Sequence, residues 1–446
     1  MIRNLWNDLE GTFFPESALD YMPEARLREV QLQRLKAVTA LAYANVPLFR
    51  ERMDAKGVKP ADLRTLADVR HLPFSVKGDL RDTYPYGLFA VPMSEVVRLH
   101  ASSGTTGKPI VVGYTAQDME VWKQVIMRTL YAAGFSRGDI VQNMYGYGLF
   151  TGGLGLHGGL EGIGATVIPI SGGNSERQIM VMKDFGVTAV CCTPSYFIHL
   201  IEVAQKMGID FRRDLKVKRG VFGAEPWTDQ MRQYIEDASG IKAFDIYGLS
   251  EIIGPGVGAE CECRDGLHIF EDHFLVEIVD PQTLEPVPDG TEGELVFTTL
   301  SKQAMPAIRY RTRDITAIDT RPCACGRTIR RIRRISRRSD DMFIIRGVNV
   351  FPSQIETALL KTEATLPHYQ IVLTRKAGLD RMEVKVEVTA DMLSDKVGAM
   401  DELAKRFGRS IEQITGLHAE VTLVQPGSIP RSEGKAKRLF DKRNEG

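Results

Sequence analysis

Long apolar runs are missing from this chain of 446 residues. No window of about 18 uninterrupted apolar residues occurs, so the sequence does not predict a membrane-spanning helix. Residues 1–10 carry charges with no apolar run behind them, and we therefore expect no secretory signal. Together these features predict a soluble, cytoplasmic protein with no membrane partner.

Net charge is also missing, because 57 Lys and Arg residues balance 57 Asp and Glu residues. No global field attracts the protein to nucleic acid or to an anionic membrane, so we expect no nucleic-acid partner. Any site for an anion must therefore be local.

Cysteine is scarce, with six residues in the chain. That number is too small for a disulfide scaffold in a protein of this length. Four of the cysteines form the pairs Cys261-Glu-Cys263 and Cys323-Ala-Cys325, which indicates reduced thiols or a metal site. The adjacent Cys191 and Cys192 lie in a buried-strand pattern and are expected in the core.

The length and an apolar content of 43% suit one large and one smaller domain. Helical spacing from Glu24 to Asn45 precedes a region, from about Val96, in which β-rich runs alternate with amphipathic stretches. This alternation predicts parallel sheets covered by helices. After Glu260 the strands have an antiparallel pattern, and beyond Arg338 a compact α+β pattern begins.

We therefore predict an α/β fold with a large N-terminal domain of helix-covered sheets and a β-subdomain, followed by a small, mobile α+β C-terminal domain. The predicted units are a helical lead-in (1–90), a nucleotide-binding core with the β-subdomain (91–337) and the C-terminal domain (338–446).

The segment Ala101-Ser-Ser-Gly-Thr-Thr-Gly-Lys-Pro109 follows a strand-like run and carries phosphate-binding chemistry. Glycines let backbone N–H groups converge on an anion, hydroxyls add donors and Lys108 adds charge. It is not a Walker A loop, because that motif needs Gly where Ser102 stands and Ser or Thr where Pro109 stands. A flexible Gly/Thr turn is the alternative if the segment is taken alone.

Four more segments follow in order: Gly223-Ala-Glu-Pro-Trp227, Tyr247-Gly-Leu-Ser-Glu251, Tyr310-Arg-Thr-Arg-Asp314 and Gly434-Lys435. With the first loop, they resemble the motifs of the acyl-adenylate-forming superfamily. Within it, the stretches 101–114, 145–157 and 338–352 resemble the phenylacetate-CoA ligase family. The resemblance covers nearly the whole chain.

The resemblance implies a role for individual residues. Glu251 would help to hold Mg²⁺, although alone it would be a surface carboxylate beside a turn. Asp314 would accept hydrogen bonds from the ribose hydroxyls. Lys435 would reach the reacting carboxylate and α-phosphate during adenylation and withdraw for thioester formation, although its basic surroundings could be a simple tail. Glu251, Lys435 and Thr105 are the candidate catalytic residues.

The same resemblance implies an ATP and AMP site in which Tyr247 stacks on the base, unless that ring is a core aromatic. Arg338 would contact the nucleotide and Asp340 would be the hinge, although Arg337 stands where the family usually has glycine. The candidate nucleotide-binding residues are Ser102, Ser103, Gly104, Thr105, Thr106, Gly107, Lys108, Ala224, Glu225, Pro226, Asp245, Tyr247, Gly248, Asp314 and Arg338.

For the acid, the resemblance implies a pocket around Tyr145 and Phe150, with Gly152 and Gly223 leaving room for a flat ring. The alternative is that both aromatic residues belong to the core. Lys77, in Ser75-Val-Lys-Gly-Asp-Leu-Arg, is a candidate for the ATP phosphates or an exposed lysine at a helix start.

Seven arginines lie between Arg327 and Arg338, interleaved with isoleucines at three-residue spacing. Such a segment invites a nucleic-acid interpretation. The balanced net charge favours instead an element that offers its arginines to the phosphates of CoA or to acidic residues of the protein itself.

Thiolates and imidazole are good zinc ligands. Some relatives in the family look able to bind zinc through residues that correspond to Cys261, His268, Cys323 and Cys325. Four protein ligands would leave no open position, so the ion would be structural. Four unligated reduced thiols are the alternative, and Cys263 would be the spare thiol.

The sequence therefore predicts an enzyme that ligates an aromatic acid, phenylacetate first, to CoA with ATP and Mg²⁺ through an acyl-adenylate. The resemblance also implies a homodimer. Alternatives are an adenylating ligase for another acid such as benzoate, one that acts on a cofactor without forming a thioester, and a nucleotide-sensing binding protein. Glu251, Asp314 and Lys435 together argue against a sensor, which has no physical need for these three charges.

Overall fold

The structure is a computed structural model that describes residues 15–102, 109–335, 337–339, 341–346, 348–362, 368–376, 379–389, 397–431 and 436–443. The α-helices are α1 (Glu24–Asn45), α2 (Pro47–Ala55), α3 (Lys77–Asp82), α4 (Ala116–Ala132), α5 (Gly152–Gly162), α6 (Ser175–Asp184), α7 (Pro194–Lys206), α8 (Phe211–Asp214), α9 (Asp229–Ser239), α10 (Pro352–Leu360) and α11 (Val397–Thr415). Short 3-10 helices cover Pro15–Tyr21, Pro60–Asp62, Leu66–His71 and Met93–Glu95.

The strands up to the arginine-rich segment are β1 (Val96–Ser102), β2 (Ile110–Thr115), β3 (Ile140–Asn143), β4 (Thr166–Ile168), β5 (Ala189–Cys192), β6 (Arg219–Phe222), β7 (Lys242–Leu249), β8 (Ile253–Glu260), β9 (Leu267–Ile269), β10 (Phe274–Val279), β11 (Gly293–Thr299), β12 (Tyr310–Thr316) and β13 (Ile318–Asp319). The later strands are β14 (Arg331–Ile332), β15 (Arg337–Arg338), β16 (Phe343–Ile345), β17 (Val348–Val350), β18 (Tyr369–Lys376), β19 (Leu379–Glu387), β20 (Glu420–Val424) and β21 (Leu439–Asp441).

The N-terminal helical prediction is confirmed, since α1 has the predicted bounds. Pro47, which ends the helical pattern in the sequence, is the first residue of α2. Proline suits that place because the first turn of a helix does not need its backbone N–H.

The main sheet holds, among the described residues, nine strands in the order β13-β14-β9-β8-β7-β6-β5-β3-β4. Strands β3 to β7 pair in parallel and are connected by helices. This confirms the predicted helix-covered parallel sheet. The chain leaves β6 at Gly223 and turns after β7 at Ser250, so two of the recognised motifs follow neighbouring strands at their carboxyl ends.

The antiparallel region predicted after Glu260 is also present. Strands β10, β11, β12 and β15 form a four-stranded antiparallel sheet within the described part of the chain. In the pairing of β12 with β15, Asp314 stands opposite Arg338. The arginine at the predicted domain boundary is thereby fixed beside the predicted ribose-binding carboxylate.

The C-terminal region forms an α+β unit with a hydrophobic core of its own. Its sheet has the order β20-β19-β18-β21, and α10 and α11 pack together. Ile371, Val384 and Phe407 are among its fully buried residues. None of the described helices is long and apolar enough to cross a membrane.

Candidate active site

Three residues of the predicted nucleotide site are in direct contact. The Tyr247 hydroxyl, on β7, donates a hydrogen bond of 2.5 Å to Asp314 Oδ2, on β12. The Arg338 guanidinium donates from Nη1 to Asp314 Oδ1 at 2.9 Å. Burial, together with the charge of Asp314, raises the pKa of Tyr247 well above its usual value, so the phenol is the donor. The structure thus brings together a ring, a carboxylate and a guanidinium that the sequence places far apart.

Glu251 lies in the tight turn between β7 and β8 and is 6% exposed. Its carboxylate accepts a hydrogen bond of 3.0 Å from the Tyr310 hydroxyl, on β12. Burial and the charge of Glu251 raise the pKa of Tyr310 well above its usual value, and the nearby charges of Arg338 and Asp314 also affect it. Glu251 therefore belongs to the same local site as the Asp314 group.

Lys302 is a buried residue of this site that sequence reasoning missed. Its ammonium donates to the carbonyl oxygens of Glu251 at 3.0 Å and Ile252 at 2.9 Å, and it lies 4.7 Å from the centre of the Tyr114 ring. Burial lowers the pKa of Lys302 to about 8, against the opposing charges of Asp118 and Glu251. No local pattern marks it, because a lysine in a polar loop is ordinarily exposed.

The phosphate-binding segment is only partly described. Ser102 ends β1 and pairs with Ile110 of β2, so the loop joins the two strands of a hairpin. Ser103, Gly104, Thr105, Thr106, Gly107 and Lys108 lie outside the described residues. Asp340, the candidate hinge residue, and Lys435, the candidate catalytic lysine, also lie outside them.

The segment after β6 makes close backbone contacts. A Cβ at Gly223 would come within 2.5 Å of the Ile246 carbonyl oxygen, so no larger residue fits there. Ala224 has a φ of 70°, a conformation that non-glycine residues rarely adopt and that often marks functional sites. Pro226, another candidate nucleotide-binding residue, is exposed.

Glu225 connects two regions of the molecule. Its Oε1 accepts from the backbone N–H of Ser195 in the first turn of α7 at 2.8 Å. Its Oε2 accepts from the N–H of Ala436, in the C-terminal region, at 3.1 Å. The glutamate of this motif thus faces the segment that follows Lys435.

Asp245 lies on β7 two residues before Tyr247, and Gly248 follows it in the same strand. The Asp245 carboxylate accepts a hydrogen bond of 3.1 Å from Arg334 Nε. A Cβ at Gly248 would come within 2.6 Å of the Ile253 carbonyl oxygen, which explains the glycine by close packing of β7 on β8.

The aromatic residues predicted for the acid pocket differ in their environment. Tyr145 donates a hydrogen bond of 2.6 Å to the Cys192 carbonyl, and burial raises its pKa well above the usual value. A Cβ at Gly152 would lie 3.4 Å from the Tyr145 ring, in ordinary contact. Phe150 is 52% exposed. Tyr145 and Gly152 are therefore neighbours, while Phe150 projects largely into solvent.

Cys261, His268, Cys323 and Cys325 come together, with one potential ligand atom from each within 4.8 Å of all the others. His268 donates from Nδ1 to the Ile329 carbonyl at 3.2 Å, and its Nε2 lies 3.4 Å from Cys325 Sγ. The hydrogen bond to Ile329 places the proton on Nδ1, so that Nε2 has a free lone pair. A hydrogen bond from Cys261 lowers the pKa of Cys325, so the cluster favours a thiolate. Cys263 is exposed.

The arginine-rich segment makes ion pairs with carboxylates of the protein itself. These ion pairs favour acidic residues of the protein itself, rather than the phosphates of CoA, as the partners of the arginines. The pairs, in chain order, are Arg327 with Asp20, Arg330 with Glu271, Arg331 with Asp265 and Asp319, Arg334 with Asp229 and Asp245, Arg337 with Glu292, and Arg338 with Asp314.

Lys77 is exposed and is the first residue of α3.

The chain is similar to known proteins over nearly its whole length. Residues 35–304 match the family model for the AMP-binding enzyme, and residues 347–443 match the model for the AMP-binding enzyme C-terminal domain. The chain is 51% identical over 439 residues to the phenylacetate-coenzyme A ligase of Thermus thermophilus, with 95% of this chain and 98% of that protein covered. It is 51% identical over 419 residues to the phenylacetate-coenzyme A ligase of Escherichia coli K12, covering 94% and 95% of the two chains.

A 2-hydroxyisobutyryl-CoA ligase, 29% identical, superposes with a TM-score of 0.91 in its postadenylation state with R3-HIB-AMP, covering 98% of this chain and 94% of that chain. The same ligase in its thioesterification state, with 2-HIB-AMP and CoA, gives a TM-score of 0.70 at 30% identity, with 96% and 92% covered. The match confirms the predicted α/β fold with a separate C-terminal domain. The chain belongs to the phenylacetate-CoA ligase family of AMP-binding enzymes.

Proposed function

We propose that this chain ligates phenylacetate to CoA at the expense of ATP, through a phenylacetyl-adenylate, with release of AMP and pyrophosphate. The observation that carries the proposal is the convergence of Tyr247, Asp314 and Arg338 with Glu251 at one site. The identity of 51% to phenylacetate-coenzyme A ligases over nearly the whole chain supports this acid as the substrate.

In the first step the carboxylate of the acid attacks the α-phosphorus of ATP and pyrophosphate leaves. Asp314 binds the ribose, because a carboxylate accepts hydrogen bonds from hydroxyl groups and Tyr247 and Arg338 hold this one in place. Lys435 stabilises the charge that develops between the two anions. Mg²⁺, when bound with the help of Glu251, neutralises phosphate charge.

In the second step the thiol of CoA attacks the acyl carbonyl and AMP leaves. Tyr145 and Gly152 form one wall for the ring of the acid, where a flat aromatic group gains contacts with the Tyr145 ring. Lys435 withdraws for this step as the C-terminal domain changes its orientation.

AMP release from ATP and Mg²⁺ tests the proposal, with phenylacetate and benzoate compared in the presence and absence of CoA. We expect AMP only with phenylacetate and CoA together, and a loss of about 100-fold or more in Lys435→Ala. Lys437→Ala is the matched control, because it removes a lysine two residues away and should leave the rate within about two-fold. Folded protein that makes no acyl-CoA from any aromatic acid would refute the substrate and favour the sensor alternative.

We also propose that the Cys261, His268, Cys323 and Cys325 cluster holds a structural zinc ion. The donor set suits zinc, and the hydrogen bond to Ile329 orients the imidazole. Metal analysis of the purified protein should give about one zinc per chain, and Cys325→Ser should lose the metal and lower the melting temperature. Cys263→Ser, at the exposed neighbouring thiol, should keep both. Equal metal content in the two variants would contradict the assignment.

A homodimer and a cytoplasmic location complete the proposal. Light scattering of the purified protein measures the first, and microscopy of a tagged chain in its host measures the second. The domain bounds 1–90, 91–337 and 338–446 are part of the proposal as well, and limited proteolysis tests them.

A further inference from the structure

Glu202 is a carboxylate of the large domain that faces an imidazole and a guanidinium of the C-terminal domain. It lies on α7 and is 7% exposed. His368 Nε2 lies 2.7 Å from its Oε1, and Arg431 donates from Nε to its Oε2 at 3.3 Å. Burial alone would raise the pKa of Glu202, but hydrogen bonds from His199 and His368 and the charge of Arg431 lower it well below its usual value. Glu202 is therefore ionised at this contact.

The Arg431 side chain is fixed from within its own domain. Its Nη1 and Nη2 atoms donate to the two carboxylate oxygens of Glu387 at 2.7 Å each. Glu387 is fully buried and also accepts from the backbone N–H groups of Gly427 and Ile429. A two-point contact of this kind orients the planar guanidinium, so its Nε–H is presented to Glu202 in a defined direction.

A second contact lies just beyond Lys435 in the sequence. The N–H of Ala436 donates to Glu225, whose other oxygen accepts from Ser195 in the first turn of α7. Glu202 lies on the same helix. Arg431 and Ala436, which flank residues 432–435, are thus both connected to α7, one directly and one through Glu225.

These contacts depend on the orientation of the two domains. The relative described above superposes with a TM-score of 0.91 in its postadenylation state but only 0.70 in its thioesterification state. The present orientation is therefore that of the postadenylation state. A carboxylate that contacts the other domain through directional bonds loses those partners when the domain rotates.

We propose that Glu202 is a positioning residue for adenylation, which acts through His368 and Arg431 to hold the C-terminal domain where Lys435 can reach the reacting carboxylate and the α-phosphate. The inference rests on the proposed function. We expect Glu202 to affect adenylation alone, because its contacts with His368 and Arg431 belong to the present domain orientation.

The test measures the two half-reactions separately in the full-length chain. Phenylacetate-dependent exchange of pyrophosphate into ATP reports adenylation, and CoA-dependent consumption of supplied phenylacetyl-adenylate reports thioester formation. We expect Glu202→Gln to lower the exchange rate about 10- to 100-fold, the range for hydrogen bonds to a charged group, while thioester formation stays within about two-fold or rises. Glu176→Gln, at an exposed glutamate of α6, is the matched control and should change neither rate.

His368→Gln should act in the same direction as Glu202→Gln, and the double variant should lose less than the product of the two single effects because the groups act on each other. A parallel fall of both half-reactions would show a merely structural role and overturn the proposal, as would unchanged exchange in folded Glu202→Gln. Failure of the proposed function is distinguishable, since wild-type protein would then give no phenylacetate-dependent exchange.

Discussion

At the residue scale, the candidate nucleotide site contains a buried carboxylate, Asp314, that Tyr247 and Arg338 hold in place. Asp314 is 3% exposed, and Tyr247 and Arg338 each bond one of its oxygens. Arg338 offsets the charge of the buried carboxylate, which would otherwise be costly. Tyr247 and Arg338 thereby orient the carboxylate that we propose as the ribose ligand.

Tyr247→Phe should separate this positioning from base stacking, because the ring stays and the hydrogen bond to Asp314 is lost. We expect kcat/KM for ATP to fall about 10-fold, mainly through KM, and Asp314→Asn to cost more because it removes the negative charge. Steady-state AMP release at varied ATP measures both. Tyr86→Phe, at a phenol that is 41% exposed, should have no effect. An equal loss in the two phenylalanine variants would argue against the assigned contact.

At the scale of elements, the glycine-rich helix α5 owes part of its composition to packing. A Cβ at Gly155 would overlap the Trp122 side chain, and one at Gly159 would overlap that of Ile126, both on α4. The sequence suggested that glycines of this region make room for a flat ring. The structure places Gly152 beside the Tyr145 ring and Gly153 against the backbone of Tyr145 and Gly146, whereas Gly155 and Gly159 allow the two helices to approach closely.

Gly159→Ala and Gly158→Ala form a matched pair on this helix. The first should lower the free energy of unfolding by about 1–3 kcal/mol, because the added methyl group has no space. A Cβ at Gly158 meets nothing within 4 Å, so the second should raise stability by about 0.5–1 kcal/mol through the better helix propensity of alanine. Denaturant unfolding measures both values. If both substitutions changed the free energy of unfolding by a similar amount in the same direction, the close packing of α5 against α4 would be contradicted.

At the scale of the whole molecule, buried ion pairs join segments that are distant in sequence. Arg128, on α4, is 1% exposed and pairs with Asp20 near the N-terminus and with Asp272 before β10. Asp20 also pairs with Arg327. The same carboxylate thus connects the N-terminal segment to the main domain at two points.

Arg128→Met should destabilise the protein by about 3–5 kcal/mol, because it leaves buried carboxylates without their partner. Arg26→Met removes an exposed arginine paired with Glu29 on α1 and should cost less than about 0.5 kcal/mol. Thermal unfolding of the two variants at equal pH and ionic strength gives the comparison. A small effect at Arg128 would mean that water reaches the carboxylates.

The sequence by itself determined the elements and the family. Helical spacing gave α1 its observed bounds, and the alternation of strands and helices indicated the parallel sheet. The phosphate loop and the motifs around Tyr247 and Asp314 are short segments whose residue types suffice for recognition. Periodicity and local motifs report the chemistry of neighbours along the chain, and these properties need no knowledge of packing.

Only the tertiary structure decided which charges meet. Lys302 touches Glu251 across 51 positions, and His368 touches Glu202 across 166. The arginine-rich segment had two open interpretations until its carboxylate partners were known. A buried lysine or glutamate carries no local signal, because its burial and its partner depend on how distant elements pack together.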